Sequence, residues 1–201
     1  MPTGVPVHDA RGQLFDAAER VLLRAGPSGL TSRAVTVEAG CAKGVLHRHF
    51  PDFDDFLAEF VLDRVATLAT RAAVLGQPAL GHAGVIDRLT DGLTAVFCPV
   101  AVAIIPLVTF RDELRARLRQ ARPVGVPILT EAAELVRSCL ATERDLGRIS
   151  ADADLDTLAP TLIGAAHLLF ADRTVAPPSR EAVRRMVATV LAGALPVEAV
   201  K

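Results

Sequence analysis

The chain has 201 residues, 51% of them hydrophobic, and a formal net charge of −1. That length buries a substantial core without disulfide or metal staples, and the near-neutral charge excludes a globally basic nucleic-acid binder, so a nucleic-acid site has to be local. Cys41, Cys98 and Cys139 are odd in number and far apart in sequence, which excludes a paired disulfide framework and gives no metal-ligand spacing. The expected setting is a reducing cytoplasm, with no metal and no cofactor.

The opening MPTGVPVHDARG has no basic region leading into an apolar one, so no secretory signal is expected. From Asp9 the apolar residues Leu14, Phe15, Ala18, Val21, Leu22 and Ala25 recur at three- and four-residue steps, which predicts an amphipathic helix capped by Asp9 and stopped by Gly26-Pro27-Ser28-Gly29. Leu30 re-enters the core. Thr31 or Ser32 then caps a short second helix to Ala39, ended by Gly40. After the turn at Cys41, a third helix runs from Lys43 to Phe50 with Leu46 and Phe50 on its inner face. Pro51 closes it and Asp52 caps a long fourth helix, with Asp55 at the capping-box position, running through Phe53, Phe56, Leu57, Phe60, Val61, Val65 and Leu68 to about Leu75.

Further helices are expected at about 83 to 97, 100 to 119 with a kink or break near Pro106, 127 to 146, 154 to 172 and 179 to 194. The run Gly92 to Phe110 carries no charge, but Pro99 and Pro106 interrupt it and its neighbours are amphipathic, so a buried pair of short helices is expected rather than a membrane span. No alternating segment demands a strand. The fold class is therefore all-α.

The segment LTSRAVTVEAGCAKGVLHRHFPDFDDFL, residues 30 to 57, resembles the DNA-binding domain of the TetR family of transcriptional regulators. The features carrying the likeness are Leu30-Thr31 opening the second helix, Ala39-Gly40 closing it, Lys43-Gly44 opening the third, the Leu46-His47-Arg48-His49-Phe50 core, and the Pro-Asp start of a long helix. The resemblance implies a helix-turn-helix domain at 1–51 and a helical ligand-binding and dimerisation domain at 52–201. A short helix enters the major groove when its inner face is anchored and its outer face offers donors. Here Ala42, Lys43, Gly44, Val45, His47, Arg48 and His49 form the expected reading segment, and Thr31, Ser32 and Arg33 at the start of the second helix are placed to hold phosphate.

Three positions depart from the family pattern. Ala42 stands where Ser commonly caps the recognition helix, a loss of about 1 kcal/mol; His47 stands where Tyr is common; and Asp52, Asp54 and Asp55 occupy a stretch that often carries a Lys near the DNA backbone. Reduced non-specific affinity is the expected result. Shared metal ligation by His47 and His49 is poor geometry, because an i, i+2 pair diverges around a helix.

In the resemblance the last two helices form a four-helix bundle across a two-fold axis. The stripes assigned to that homodimer interface are Leu158, Leu162, Ala166 and Leu169, and Val183, Val187, Leu191 and Ala194. The uncharged run to Phe110 supplies a candidate pocket wall, with Phe97, Ile105, Thr109 and Phe110 facing His167 and Phe170. Neither this run nor Thr157 to Ala171 contains a carboxylate, and the chain has no Trp or Tyr for a cation cage, so the expected inducer is neutral or anionic and apolar. The arginines Arg111, Arg115, Arg117, Arg119 and Arg122, interrupted by Asp112 and Glu113, read as a solvated helix face.

The expected function is a repressor that binds a double-stranded operator and is released by a small molecule acting through the fourth helix. The alternative is a ligand-binding protein of the same fold that has lost specific DNA binding. An enzyme is not expected: there is no G-x-S-x-G, phosphate-cradling Gly loop or carboxylate pair set against a His.

Overall fold

The computed structural model describes residues 9–42, 44–72, 84–121, 125–171 and 176–196, and every regular element among them is an α-helix. In chain order these are α1 (Ala10–Gly29), α2 (Ser32–Glu38), α3 (Gly44–His49), α4 (Phe53–Ala72), α5 (Val85–Val96), α6 (Pro99–Thr109), α7 (Asp112–Ala121), α8 (Leu129–Asp145), α9 (Leu155–Phe170) and α10 (Arg180–Leu191). Asp9 caps α1 by accepting the Gly12 N–H at 2.8 Å. Gly26 interrupts it with a φ of 70°, a backbone state closed to most side chains, so the Gly-Pro-Ser-Gly stop works as expected even though helical turns continue to Gly29.

The helices divide into two compact units, Met1–Asp63 with Ala103–Pro123 and Arg64–Val102 with Val124–Lys201. This differs from the expected boundary at 51/52, because most of α6 and all of α7 belong with the N-terminal helices.

The first unit is built on phenylalanine. Phe15, Phe50, Phe56 and Phe60 meet with ring centroids 5.0 to 6.5 Å apart, and Leu14, Leu22, Leu30, Leu46 and Leu57 close around them. Each fully buried side chain of this size contributes roughly 1.5 to 3 kcal/mol. The Arg11 guanidinium lies 4.6 Å from the Phe50 ring centroid and pairs with Glu59.

The break expected near Pro106 lies instead at Phe110 and Arg111. Pro106 sits inside α6, whose residues from Val100 to Ile105 are all buried, as are Leu107 and Val108. Burial of that run outweighs the cost of about 3 kcal/mol for an interior proline. The helix ends where the apolar sequence ends; polar Arg111 follows and Asp112 begins α7.

In the second unit α8 packs on α9, and α10 on both α5 and α9. Arg180 Nε donates to Asp91 at 2.9 Å and Arg184 Nε to Asp87 at 3.2 Å, tying α10 to α5. Glu143, 1% exposed, accepts from Arg88 on α5 and from Arg148. Burial alone would raise its carboxyl, but the Arg148 hydrogen bond and the Arg88 charge outweigh that and hold it below the usual range. Among the described residues no single helix is long and apolar enough to cross a membrane; α5 and α6 pass only as a pair, bent by 62°.

Candidate nucleic-acid interface and ligand site

The turn between α2 and α3 follows from Gly40. With φ at 65° it folds the chain back so that the Gly40 N–H reaches Val37 O at 3.1 Å and the Cys41 N–H reaches Thr36 O at 3.0 Å. On α3, Leu46 is buried and Phe50 just beyond it is buried too, while Gly44, His47 and Arg48 are exposed and Val45 and His49 half-buried. One face is thus anchored in the phenylalanine core and the other is free and donor-bearing. Ala42 is exposed ahead of the helix, and its carbonyl accepts the Val45 N–H at 2.9 Å. A Cβ added at Gly44 would meet nothing within 4 Å, in keeping with an open outer surface. Lys43 lies outside the described residues.

At the start of α2, the Thr31 hydroxyl oxygen accepts the Ala34 N–H at 3.2 Å, the expected cap. Arg33 is exposed, and the Ser32 hydroxyl is buried without a protein partner. Helix α2 is clipped to α1 by Glu38, which takes Arg20 Nε and Arg24 NH2, each at 2.8 Å. Those hydrogen bonds, Arg20 first, hold the Glu38 carboxyl below its usual range.

The start of α4 carries what the sequence reading missed. Asp52 Oδ1 accepts the N–H groups of Asp54 and Asp55 at 2.8 and 2.9 Å, so the cap is present. The Asp55 N–H is the main reason the Asp52 carboxyl sits below its usual range, with the Arg117 charge adding to it. The Asp55 carboxylate pairs with Arg117 Nε at 2.8 Å, and Arg111 Nε meets Asp54 at 2.5 Å. Two of the five arginines read as a solvated face therefore grip the acids that were expected to weaken DNA binding. Opposite charge at a separation of some sixty residues was the only signal available.

The expected ligand residues fall into different surroundings. Phe97 and Phe170 are buried in the second unit and stack at 5.4 Å; His167 lies 6.3 Å from Phe97, and its Nδ1 is buried without a partner. Ile105, Thr109 and Phe110 belong to the other compact unit. Ile105 is buried there, the exposed Thr109 hydroxyl donates to the Ile105 carbonyl at 2.8 Å, and Phe110 is 85% exposed. The expectation that Phe110 lines a pocket is corrected: past the end of α6 its ring meets solvent. A small recess of about 10 Å³, room for about one water and too little for an inducer, occurs elsewhere in the second unit, walled by Val65, Leu68, Val96, Ile128, Ala132 and Leu135 with Glu131 at its edge. Ile128 there has a φ of 78°, a strained state for a β-branched residue, and its N–H is held by Glu131 Oε2 at 2.6 Å.

The interface stripes also need correction. Leu162, Ala166, Val183, Val187 and Leu191 are fully buried and Ala194 nearly so, while Leu158 and Leu169 are half-buried. These stripes fill the chain's own core. The opposite face of α9 exposes Thr157, Pro160, Thr161, Gly164 and Leu168, the last at 80%, with the exposed Asp156, paired with Arg137, beside them in the first turn.

Residues 14–60 match the family described as bacterial regulatory proteins, tetR family. A curated relative, the HTH-type transcriptional regulator PksA of Bacillus subtilis (strain 168), is 33% identical over 78 residues, which is 35% of this chain and 38% of the relative's length. A transcriptional regulator from Rhodococcus sp. Rha1 superposes with a TM-score of 0.71 at 19% identity, over 94% of this chain and 100% of that one. FadR from Bacillus subtilis, solved with stearoyl-CoA, gives 0.65 at 16% identity over 90% and 95%. Residues 14–60 thus resemble the N-terminal domain of the TetR family of bacterial regulatory proteins, and the likeness to the solved regulators extends a shared fold over the rest of the chain.

Proposed function

We propose that the protein is a homodimeric operator-binding repressor whose C-terminal helices respond to a largely apolar small molecule. The observation that carries the DNA-binding part is the two-sidedness of α3: Leu46 and Phe50 are buried while Gly44, His47 and Arg48 stand free directly after the Gly40 turn. A short anchored helix with an outward donor face fits the major groove, and Thr31 and Arg33 at the start of α2 are available for phosphate. The dimer reading rests on the largely uncharged outer face of α9 from Thr157 to Leu168, and the ligand reading on the partnerless His167 Nδ1 beside the stacked Phe97 and Phe170. A neutral or anionic apolar inducer fits these surroundings, released operator being the outcome. The paired state of Asp52, Asp54 and Asp55 weakens one of the grounds, beside Ala42 and the near-neutral charge, for reading the chain as a fold that has lost its DNA.

The test is selection of duplexes from a randomised pool by the full-length protein. Recovery of a two-fold symmetric sequence, with half-sites spaced by about one helical turn or a small multiple, is expected. Retention of no particular sequence at any salt concentration would remove the DNA-binding reading. A thermal-shift screen of neutral, anionic and cationic lipophiles, each hit tested for release of the selected duplex, checks the sensor; hits confined to cations would overturn the charge argument.

A further inference from the structure

Helix α3 is joined to α4 only through Phe50, Pro51 and Asp52, so the end of the recognition helix and the first turn of α4 form one joint. Arg117 reaches this joint from α7. Its NH2 pairs with Asp52, its NH1 lies 3.5 Å from Asp54 Oδ2, and its Nε lies 2.8 Å from Asp55 Oδ1. Arg111, just ahead of α7, takes Asp54 Oδ1 at 2.5 Å and sets its guanidinium 5.5 Å from the Phe53 ring. Helix α7 is itself seated by the buried Leu114 and Leu118. Three carboxylates on one turn repel one another and are costly to keep together; a planar guanidinium with donors pointing three ways gathers them at fixed spacing, which the point charge of a lysine does not.

We propose that Arg117 is a positioning residue for DNA recognition, fastening the α3–α4 joint to α7 through Asp52, Asp54 and Asp55. This rests on the reading of α3 as a recognition helix. The charge of Arg117 is already matched three times over, so it acts by holding the helix and not by neutralising a phosphate. A fastener and an electrostatic screen give opposite signs when the acids are neutralised. If Arg117 only screens carboxylates from DNA, removing two of them strengthens binding. If it fastens, removing them weakens binding, although the protein becomes less negative.

The experiment uses the full chain and a duplex that the wild type selects from a randomised pool. Arg117→Gln, Arg117→Lys and the double variant Asp54→Asn with Asp55→Asn are each expected to weaken affinity by about tenfold, within the coupling range of residues sharing one network. The slope of log affinity against log salt is expected to stay at the wild-type value in Arg117→Gln, since no phosphate contact is lost. Tighter binding by the double variant, or a slope flattened by about 1 in Arg117→Gln, overturns the proposal. Hydrogen exchange on the free protein supplies a readout independent of DNA. The amides of residues 53 to 57 are expected to exchange about tenfold faster in Arg117→Gln while those near Val21 and Leu22 in α1 keep their protection. Unchanged exchange at 53 to 57 overturns the proposal whether or not any duplex is found; absence of a selected duplex with faster exchange removes the DNA reading and leaves the fastener standing.

Discussion

Arg48 and Glu143 are both charged, and their surroundings give them opposite assignments. Arg48 is exposed on α3, so Arg48→Ala is expected to leave the thermal midpoint unchanged. It should either flatten the salt slope of DNA binding by about 1 or relax specificity at one base pair by about 1 to 3 kcal/mol. Fluorescence anisotropy across a salt series separates the two. Glu143 is buried between Arg88 and Arg148, and Glu143→Ala leaves Arg88, only 8% exposed, without its counter-charge. A loss of about 3 to 5 kcal/mol is expected from denaturant melts. The same site sets an acid limit. Because the folded carboxyl is held below its unfolded value, the stabilisation is complete at neutral pH and is lost as pH falls through the ordinary carboxylate range toward the folded value. The wild-type midpoint should therefore drop more steeply than that of Glu143→Gln as pH falls from neutrality through and below the ordinary carboxylate range.

At the scale of the element, α9 has two faces that hydropathy does not tell apart. Leu162 and Ala166 point into the chain's own core; Thr161, Gly164 and Leu168, spaced three and four apart, share the outer one. Beyond Asp156 in the first turn both faces are free of carboxylates, as expected if each is covered, one by the same chain and one by its copy. Leu168→Glu is accordingly expected to give a folded monomer by sedimentation with unchanged helical circular dichroism. Leu162→Glu is expected to cost folding itself, since it buries an unpaired charge. A dimer that survives Leu168→Glu would move the interface away from this face.

Over the whole molecule, the parts legible in the sequence are those whose signals are local. The helix-turn-helix was readable because Thr31, Gly40, Leu46 and Phe50 act within a few residues of one another through a cap, a positive-φ turn and an i, i+4 anchor. The fold class was readable from periodicity, and the starts of α1, α2 and α4 from their caps at Asp9, Thr31 and Asp52. Arg117 and its acids were not, since sequence reports neither a contact between distant helices nor the difference between a solvated arginine and an engaged one. Pro106 misled because propensity was weighed without the burial that overrides it. Phe110 misled for the converse reason: an apolar residue at the end of an apolar run carries no mark that the helix stops one residue earlier. Ile128 and Glu131 were passed over because backbone strain leaves no trace in composition.

The phenylalanine cluster has a spectroscopic corollary. The chain contains eight Phe and neither Trp nor Tyr, and Phe15, Phe50, Phe53, Phe56 and Phe60 are gathered around one set of ring contacts in the N-terminal unit. Near-ultraviolet circular dichroism, which reports fixed aromatic packing, should therefore be dominated by the sharp vibronic bands of that cluster and follow the melting of the DNA-binding helices in particular. The dark background offers the complementary channel. A single indole placed by Phe110→Trp, at a position already open to solvent, would emit without interference and register anything that comes to cover the α6–α7 turn.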